Sequence, residues 1–141
     1  MASAQQPYPL AMFPRLAVRD VAASTAWYRD ALGFEVGYEY DEISAVRYRE
    51  HADLMLVGDR TQFGEDLDGT RGQGVSLYFV VEDQSVDELA ERLETYDPDA
   101  DTEIVETSWH TRELTVKDPD GYELVFSERG EKPDALDATL G

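Results

Sequence analysis

Apolar positions along this chain follow two rhythms, and their order outlines a repeated unit. From Phe13 to Arg19 the residues alternate with the period of a strand. From Val21 to Leu32 the apolar residues return at helical spacing, with Trp27, Tyr28, Ala31 and Leu32 on one face. Asp20 stands where an N-cap is needed, since its carboxylate can accept from the exposed amides of the first turn. Gly33 follows as the residue that ends the helix in a left-handed conformation. Strands are predicted for Phe34–Tyr40, Ile43–Glu50 and Leu54–Val57, the last two joined by a turn at His51-Ala52-Asp53.

Residues 58–74 interrupt the pattern with five glycines and four acids and read as a linker. The order then restarts. Val75–Val81 is a strand, Asp83 is the expected cap, and Ser85–Tyr96 is a helix with Val86, Leu89, Ala90 and Leu93 at helical spacing. Glu103–Glu106, Arg112–Lys117 and Glu123–Ser127 are strands, the last two joined by the tight-turn sequence Asp118-Pro119-Asp120-Gly121. The chain therefore reads as an α+β fold of two βαβββ modules, residues 12–57 and 75–128. Residues 1–11 form a proline-containing arm, and residues 129–141 an acidic tail. Asp20 and Asp83 occupy equivalent places 63 positions apart, so the repeat is one of structure rather than of residue identity. Each module buries one helix on one face of a small sheet, and the other face needs a cover.

Charge changes the picture most. The 141 residues hold 31 acids against 12 bases, a net charge of −19. Ten of the bases are arginine, only Lys117 and Lys132 are lysine, and asparagine is absent. Such a chain is repelled by nucleic acid and by anionic membranes, which demand clustered cations. The acids are spread along the chain, which points to a halophile-type surface adapted to strong salt. An acidic groove for a cationic ligand is the competing reading. No cysteine is present, so disulfides, cysteine-zinc sites and thiol nucleophiles are excluded. No apolar run reaches the roughly 20 residues of a membrane span, and the N-terminus has no signal-peptide pattern, so a cytoplasmic location is expected.

Several segments carry a resemblance. Val18-Arg19-Asp20-Val21-Ala22-Ala23-Ser24 followed by Trp27-Tyr28-Arg29-Asp30-Ala31-Leu32-Gly33-Phe34 resembles the opening of the glyoxalase/bleomycin-resistance/extradiol-dioxygenase superfamily, the vicinal oxygen chelate fold. Val80-Val81-Glu82-Asp83 and Asp118-Pro119-Asp120-Gly121-Tyr122 agree in the second half. Trp109 with Arg112-Glu113 is similar to a segment of the bleomycin-resistance-like branch. The resemblance implies a cup-shaped mixed sheet with helices on its outer face, a ligand cavity within the cup, and a homodimer. It guides fold better than activity.

It also implies a divalent metal in the enzymes of the superfamily, held by side chains of the first and last strands of both modules. Here those positions carry Phe13 and Ser76, Leu56 and Val125. Hydrocarbon side chains offer no lone pair, and one serine cannot hold a metal alone. No metal and no other cofactor is therefore expected. Asp97-Pro98-Asp99-Ala100-Asp101 begins like a calcium loop but has Thr102 where glycine is needed and Ser108 where glutamate is needed, so it reads as an acidic turn. His51 and His110 are the only histidines and fall in separate loops. No nucleotide-binding glycine motif and no nucleophile elbow is present.

Strand alternation then suggests what lines the cup. Phe13, Arg15, Arg47, Leu56, Tyr78, Glu123 and Val125 point inward in this reading, rimmed by Trp109, His110 and Glu113. Phe13, Arg15, Arg47, Tyr78, Trp109, His110, Glu113 and Glu123 are the candidate ligand-binding residues. Arg47 has a competing structural role as an ion-pair partner of Glu113 or Glu123. The function expected is non-catalytic binding and sequestration of an aromatic or amphipathic small molecule. A metal-dependent lyase or dioxygenase, and a dimeric accessory domain with no ligand, are the alternatives.

Overall fold

The computed structural model describes residues 9–58 and 71–129, and the chain divides between Thr70 and Arg71 into two units. The arm before residue 9, linker residues 59–70 and the tail after residue 129 lie outside the described residues.

The first unit runs β1 (Arg15–Val18), α1 (Val21–Leu32), β2 (Glu35–Glu39), β3 (Ile43–Tyr48) and β4 (Ala52–Gly58). Its sheet has the order β1-β4-β3-β2, with β1 parallel to β4 and the other pairs antiparallel. α1 starts and stops as its sequence dictates. Asp20 accepts from the Ala23 amide at 3.0 Å, and Gly33 ends the helix at φ 78°. Trp27, Tyr28, Ala31 and Leu32 are buried against the sheet. Tyr28 packs edge-on to Trp27 and to Phe34, at centroid distances of 5.1 and 5.2 Å.

The second unit runs β5 (Ser76–Val80), α2 (Val86–Tyr96), β6 (Thr102–Glu106), β7 (Thr111–Lys117) and β8 (Glu123–Arg129). Its sheet has the order β5-β8-β7-β6, again with one parallel pair, β5 with β8. Val86, Leu89 and Leu93 of α2 are fully buried and α2 packs on β7 and β8, whose Leu114, Val116, Leu124 and Phe126 are also fully buried. The fold is α+β, with two βαβββ units of matching topology. The Asp118 turn is tight because its buried carboxylate accepts from the amides of Asp120 and Tyr122, each at 2.9 Å, while Gly121 adopts φ 98°.

Several strand ends shift by one or two residues from the sequence expectation, and two boundaries differ for a specific physical reason. The cap of α2 is Ser85, not Asp83: Ser85 Oγ accepts from the Glu88 amide at 3.1 Å, and Glu88 Oε1 accepts from the Ser85 amide at 2.8 Å. This is a complete capping box, and it satisfies two orphan amides where a lone aspartate would satisfy one. Asp83 instead takes a left-handed conformation, φ 61°, before the helix begins. The β3–β4 turn falls at residues 49–51, with Arg49 at φ 55°, because Ala52 and Asp53 already pair with Tyr48 and Arg47. An aspartate lies within a strand here because an arginine on the adjacent strand neutralises it.

Candidate functional site

Registered partners in a sheet share a face, so the pairings sort every side chain. In the first unit Leu16, Leu56 and Ser44 fall on one row. Ser44 Oγ lies 2.6 Å from Thr25 Oγ1 of α1, so that row faces the helix. Leu56 is therefore core, not cup lining as the alternation suggested, and it is fully buried. The face opposite α1 carries Arg15, Ala17, Met55, Ala45, Arg47 and Asp53.

Arg47 on this face is committed to structure. Its Nε and Nη2 donate to Asp53 Oδ1 and Oδ2 at 2.5 and 2.8 Å, and both side chains are only 2% exposed. The Leu10 amide donates to the same carboxylate at 2.8 Å. The partner is Asp53, directly opposite in register, rather than Glu113 or Glu123. A guanidinium held by both prongs against a buried carboxylate is not available as a ligand anchor. Phe13 is half-buried just before β1, which begins at Arg15, and Arg15 is exposed.

The second unit is different. Opposite α2 lie Tyr78 and Val80 of β5, Glu123, Val125 and Ser127 of β8, Glu113 and Thr115 of β7, and Val105 of β6. Tyr78, Val80 and Val105 are 55%, 57% and 43% exposed. Tyr78 Oη donates to Glu113 Oε2 at 2.5 Å. These residues sit on β5 and β7, two strand spacings apart or about 9–10 Å, so the tyrosine crosses β8 above the buried Val125 and Ser127. Thr111 Oγ1 donates to the same oxygen at 3.2 Å, and Thr107 Oγ1 lies 2.7 Å from Thr111 Oγ1. Partial desolvation, then the Glu113 carboxylate, raises the Tyr78 hydroxyl above its ordinary value of 10.0, against a smaller opposing effect of Ser127. Tyr78 thus remains a donor at neutral pH.

Trp109 and His110 occupy the turn between β6 and β7, next to Thr111. Trp109 is 55% exposed, and His110 is exposed with φ 71°. Glu123, half-buried at the start of β8, is the register partner of Ser76 and Lys117. The structure therefore brings Tyr78, Glu113 and Glu123 onto one face and leaves Arg47 out of use. Thr111 was missed by sequence reasoning, although it lies two residues before Glu113 and strand alternation places it on the same face. Asp53 was missed because it was read as a turn residue, although it lies only six positions from Arg47, across the β3–β4 hairpin.

Among the described residues, no three His, Cys, Asp or Glu side chains gather in a way that could hold a metal ion. At the positions where the resemblance places metal ligands, Phe13 and Val125 are hydrocarbons, Ser76 lies opposite Glu123 in register, and Leu56 faces α1, its neighbour on the opposite face being Met55. Those four side chains do not supply the donor set of a divalent metal.

The paired βαβββ topology and its parallel first-to-last strand contact define a protein of the paired-module α+β class. The sequence profile of the Glyoxalase/Bleomycin resistance protein/Dioxygenase superfamily matches residues 10–126, and the chain belongs to that superfamily. Among solved structures it is similar to a lactoylglutathione lyase from Agrobacterium tumefaciens, with 22% identity over 86% of this chain and 96% of that one, at a TM-score of 0.65. It is similar to TioX from Micromonospora sp. ML1, with 17% identity over 84% of this chain and 98% of that one, at a TM-score of 0.65. A glyoxalase/bleomycin resistance protein/dioxygenase from Nocardioides shares 18% identity over 92% of this chain and 89% of that one, at a TM-score of 0.62. These likenesses establish the fold. No curated protein matches the chain by sequence. No helix among the described residues is long and apolar enough to cross a membrane.

Proposed function

We propose that this protein binds an aromatic or amphipathic small molecule without transforming it, in the manner of the bleomycin-resistance-like branch, and needs no metal to do so. The observation that carries this reading is the exposed face of the second unit. It offers an apolar surface from Tyr78, Val80 and Val105 beside one hydrogen-bonded polar anchor, Tyr78–Glu113. Isolated exposed apolar residues are ordinary, but a group of them around oriented polar atoms is the pattern of a ligand surface. Affinity comes mainly from apolar burial, at roughly 25 cal/mol per Å². Trp109 contributes a wall and Glu123 a second polar edge.

Thermal shift and calorimetry against a panel of aromatic compounds test the reading, since a ligand that binds only the native state raises its melting temperature. Saturable binding that leaves the compound chemically unchanged supports it. Elemental analysis provides the opposing outcome. A tightly held zinc, nickel, manganese or iron near one per chain replaces this reading with that of a metal-dependent lyase or dioxygenase. A chain that binds nothing in the panel points to an accessory domain. The protein is proposed to act as a homodimer in the cytoplasm, and light scattering that gives a mass near 16 kDa at all micromolar concentrations overturns the dimer.

A further inference from the structure

We propose that the exposed face of the second unit selects ligands bearing a protonated amine on an aromatic body, with Glu113 as the countercharge. The inference rests on the ligand-binding reading above and names the class of ligand. Glu113 is half-buried, and its Oε2 accepts from two neutral hydroxyls, those of Tyr78 and Thr111. Those hydrogen bonds orient the carboxylate, and the two hydroxyls bring no countercharge of their own. Oε1 has no donor among the described residues.

No arginine, lysine or histidine among the described side chains forms an ion pair with Glu113. Arg112, its neighbour in sequence, points to the other face, where it donates to Asp87 and Glu106, each at 2.9 Å. Lys117 is opposite Glu123 in register, four residues further along β7. A negative charge partly withdrawn from water is thus set among Tyr78, Val80 and Val105. That combination suits an ammonium group followed by a flat apolar body. The ammonium supplies the charge-assisted hydrogen bond that Oε1 can accept, and the ring of Tyr78 offers an aromatic face as well. An anionic ligand meets repulsion from Glu113 and from a chain of net charge −19.

Three compounds with one indole body separate charge from shape: tryptamine, tryptophol and indole-3-propionate, measured by calorimetry at low salt. The native chain is expected to favour tryptamine over tryptophol by about tenfold, the effect of one charge-assisted hydrogen bond, and to reject the propionate. Glu113→Gln is expected to bind tryptamine and tryptophol equally, with tryptophol affinity unchanged. Glu94→Gln, which removes one exposed charge from α2, is expected to keep the native preference. Equal binding of both by the native chain overturns the amine preference and leaves the ligand-binding reading intact. A preference that survives Glu113→Gln, or that falls equally in Glu94→Gln, assigns it to the field of the whole chain and overturns the role of Glu113. Arg129 is the register partner of Thr111. A preference that emerges only in Arg129→Gln means that the carboxylate is neutralised in the native chain, and this too overturns the proposal. If none of the three binds, and no naphthyl or phenyl counterpart binds, the ligand-binding reading falls with it.

Discussion

Arg47 and Asp53 face each other across β3 and β4 as a buried two-pronged ion pair, and this pair rather than any ligand explains why an arginine lies inside the first sheet. Removing one partner strands the other charge away from water. Asp53→Ala is therefore expected to cost roughly 3–5 kcal/mol in denaturant unfolding. The double change Arg47→Met with Asp53→Leu is expected to recover most of that loss, because the penalty lies in the unpaired charge. A single variant within about 1 kcal/mol of the native chain would show that the pair is not buried in solution.

The cap of α2 can be weighed in the same way. Ser85→Ala is expected to lower stability by about 1 kcal/mol, the usual cost of an N-cap. Asp83→Gly is expected to be neutral or slightly stabilising, because glycine adopts φ 61° without steric cost. Melting curves of the two variants distinguish the positions, and the reverse order would restore Asp83 as the cap.

Tyr78 supplies a pH test. Its raised value means that the folded state holds the phenolic proton more tightly than the unfolded chain. The stability it contributes is fully present below about 10 and is lost as pH rises through the higher folded value. Tyrosinate absorbance should lose one late-titrating step in Tyr78→Phe relative to the native chain. Glu113→Gln should move that step to lower pH, since the carboxylate is one of the groups that raise it. No change in the alkaline titration of either variant would refute the coupling.

Salt bears on the charge excess. With 31 acids against 12 bases, self-repulsion is strong at low ionic strength. The Debye length falls from about 30 Å at 0.01 M to about 3 Å at 1 M, so molar salt removes most of it. The melting temperature is expected to rise between about 0.1 and 2 M KCl, by screening first and by salting-out of apolar surface later. A flat or falling curve would argue against a salt-adapted surface.

Much of this protein follows from its chain alone. The extent of α1 and its Asp20 and Gly33 ends are local events, decided by which residues can satisfy or terminate the nearest amides. The order of strands and the Asp118 turn are equally local. The capping box Ser85-Val86-Asp87-Glu88 was also present in the sequence, where the analogy with Asp20 drew attention to Asp83 instead. What the chain could not decide is which face each strand presents and what meets there. Leu56 belongs to the core because pairing with Leu16 and Ser44 turns it toward α1, a matter of register between distant strands. Tyr78 and Glu113 lie 35 positions apart and meet only because β8 is inserted between their strands at a spacing the tyrosine can span. Asp53 sits in a strand because Arg47 is opposite it. Periodicity reports burial along one segment, whereas partners across a sheet are chosen by register, and register exists only once the strands have paired.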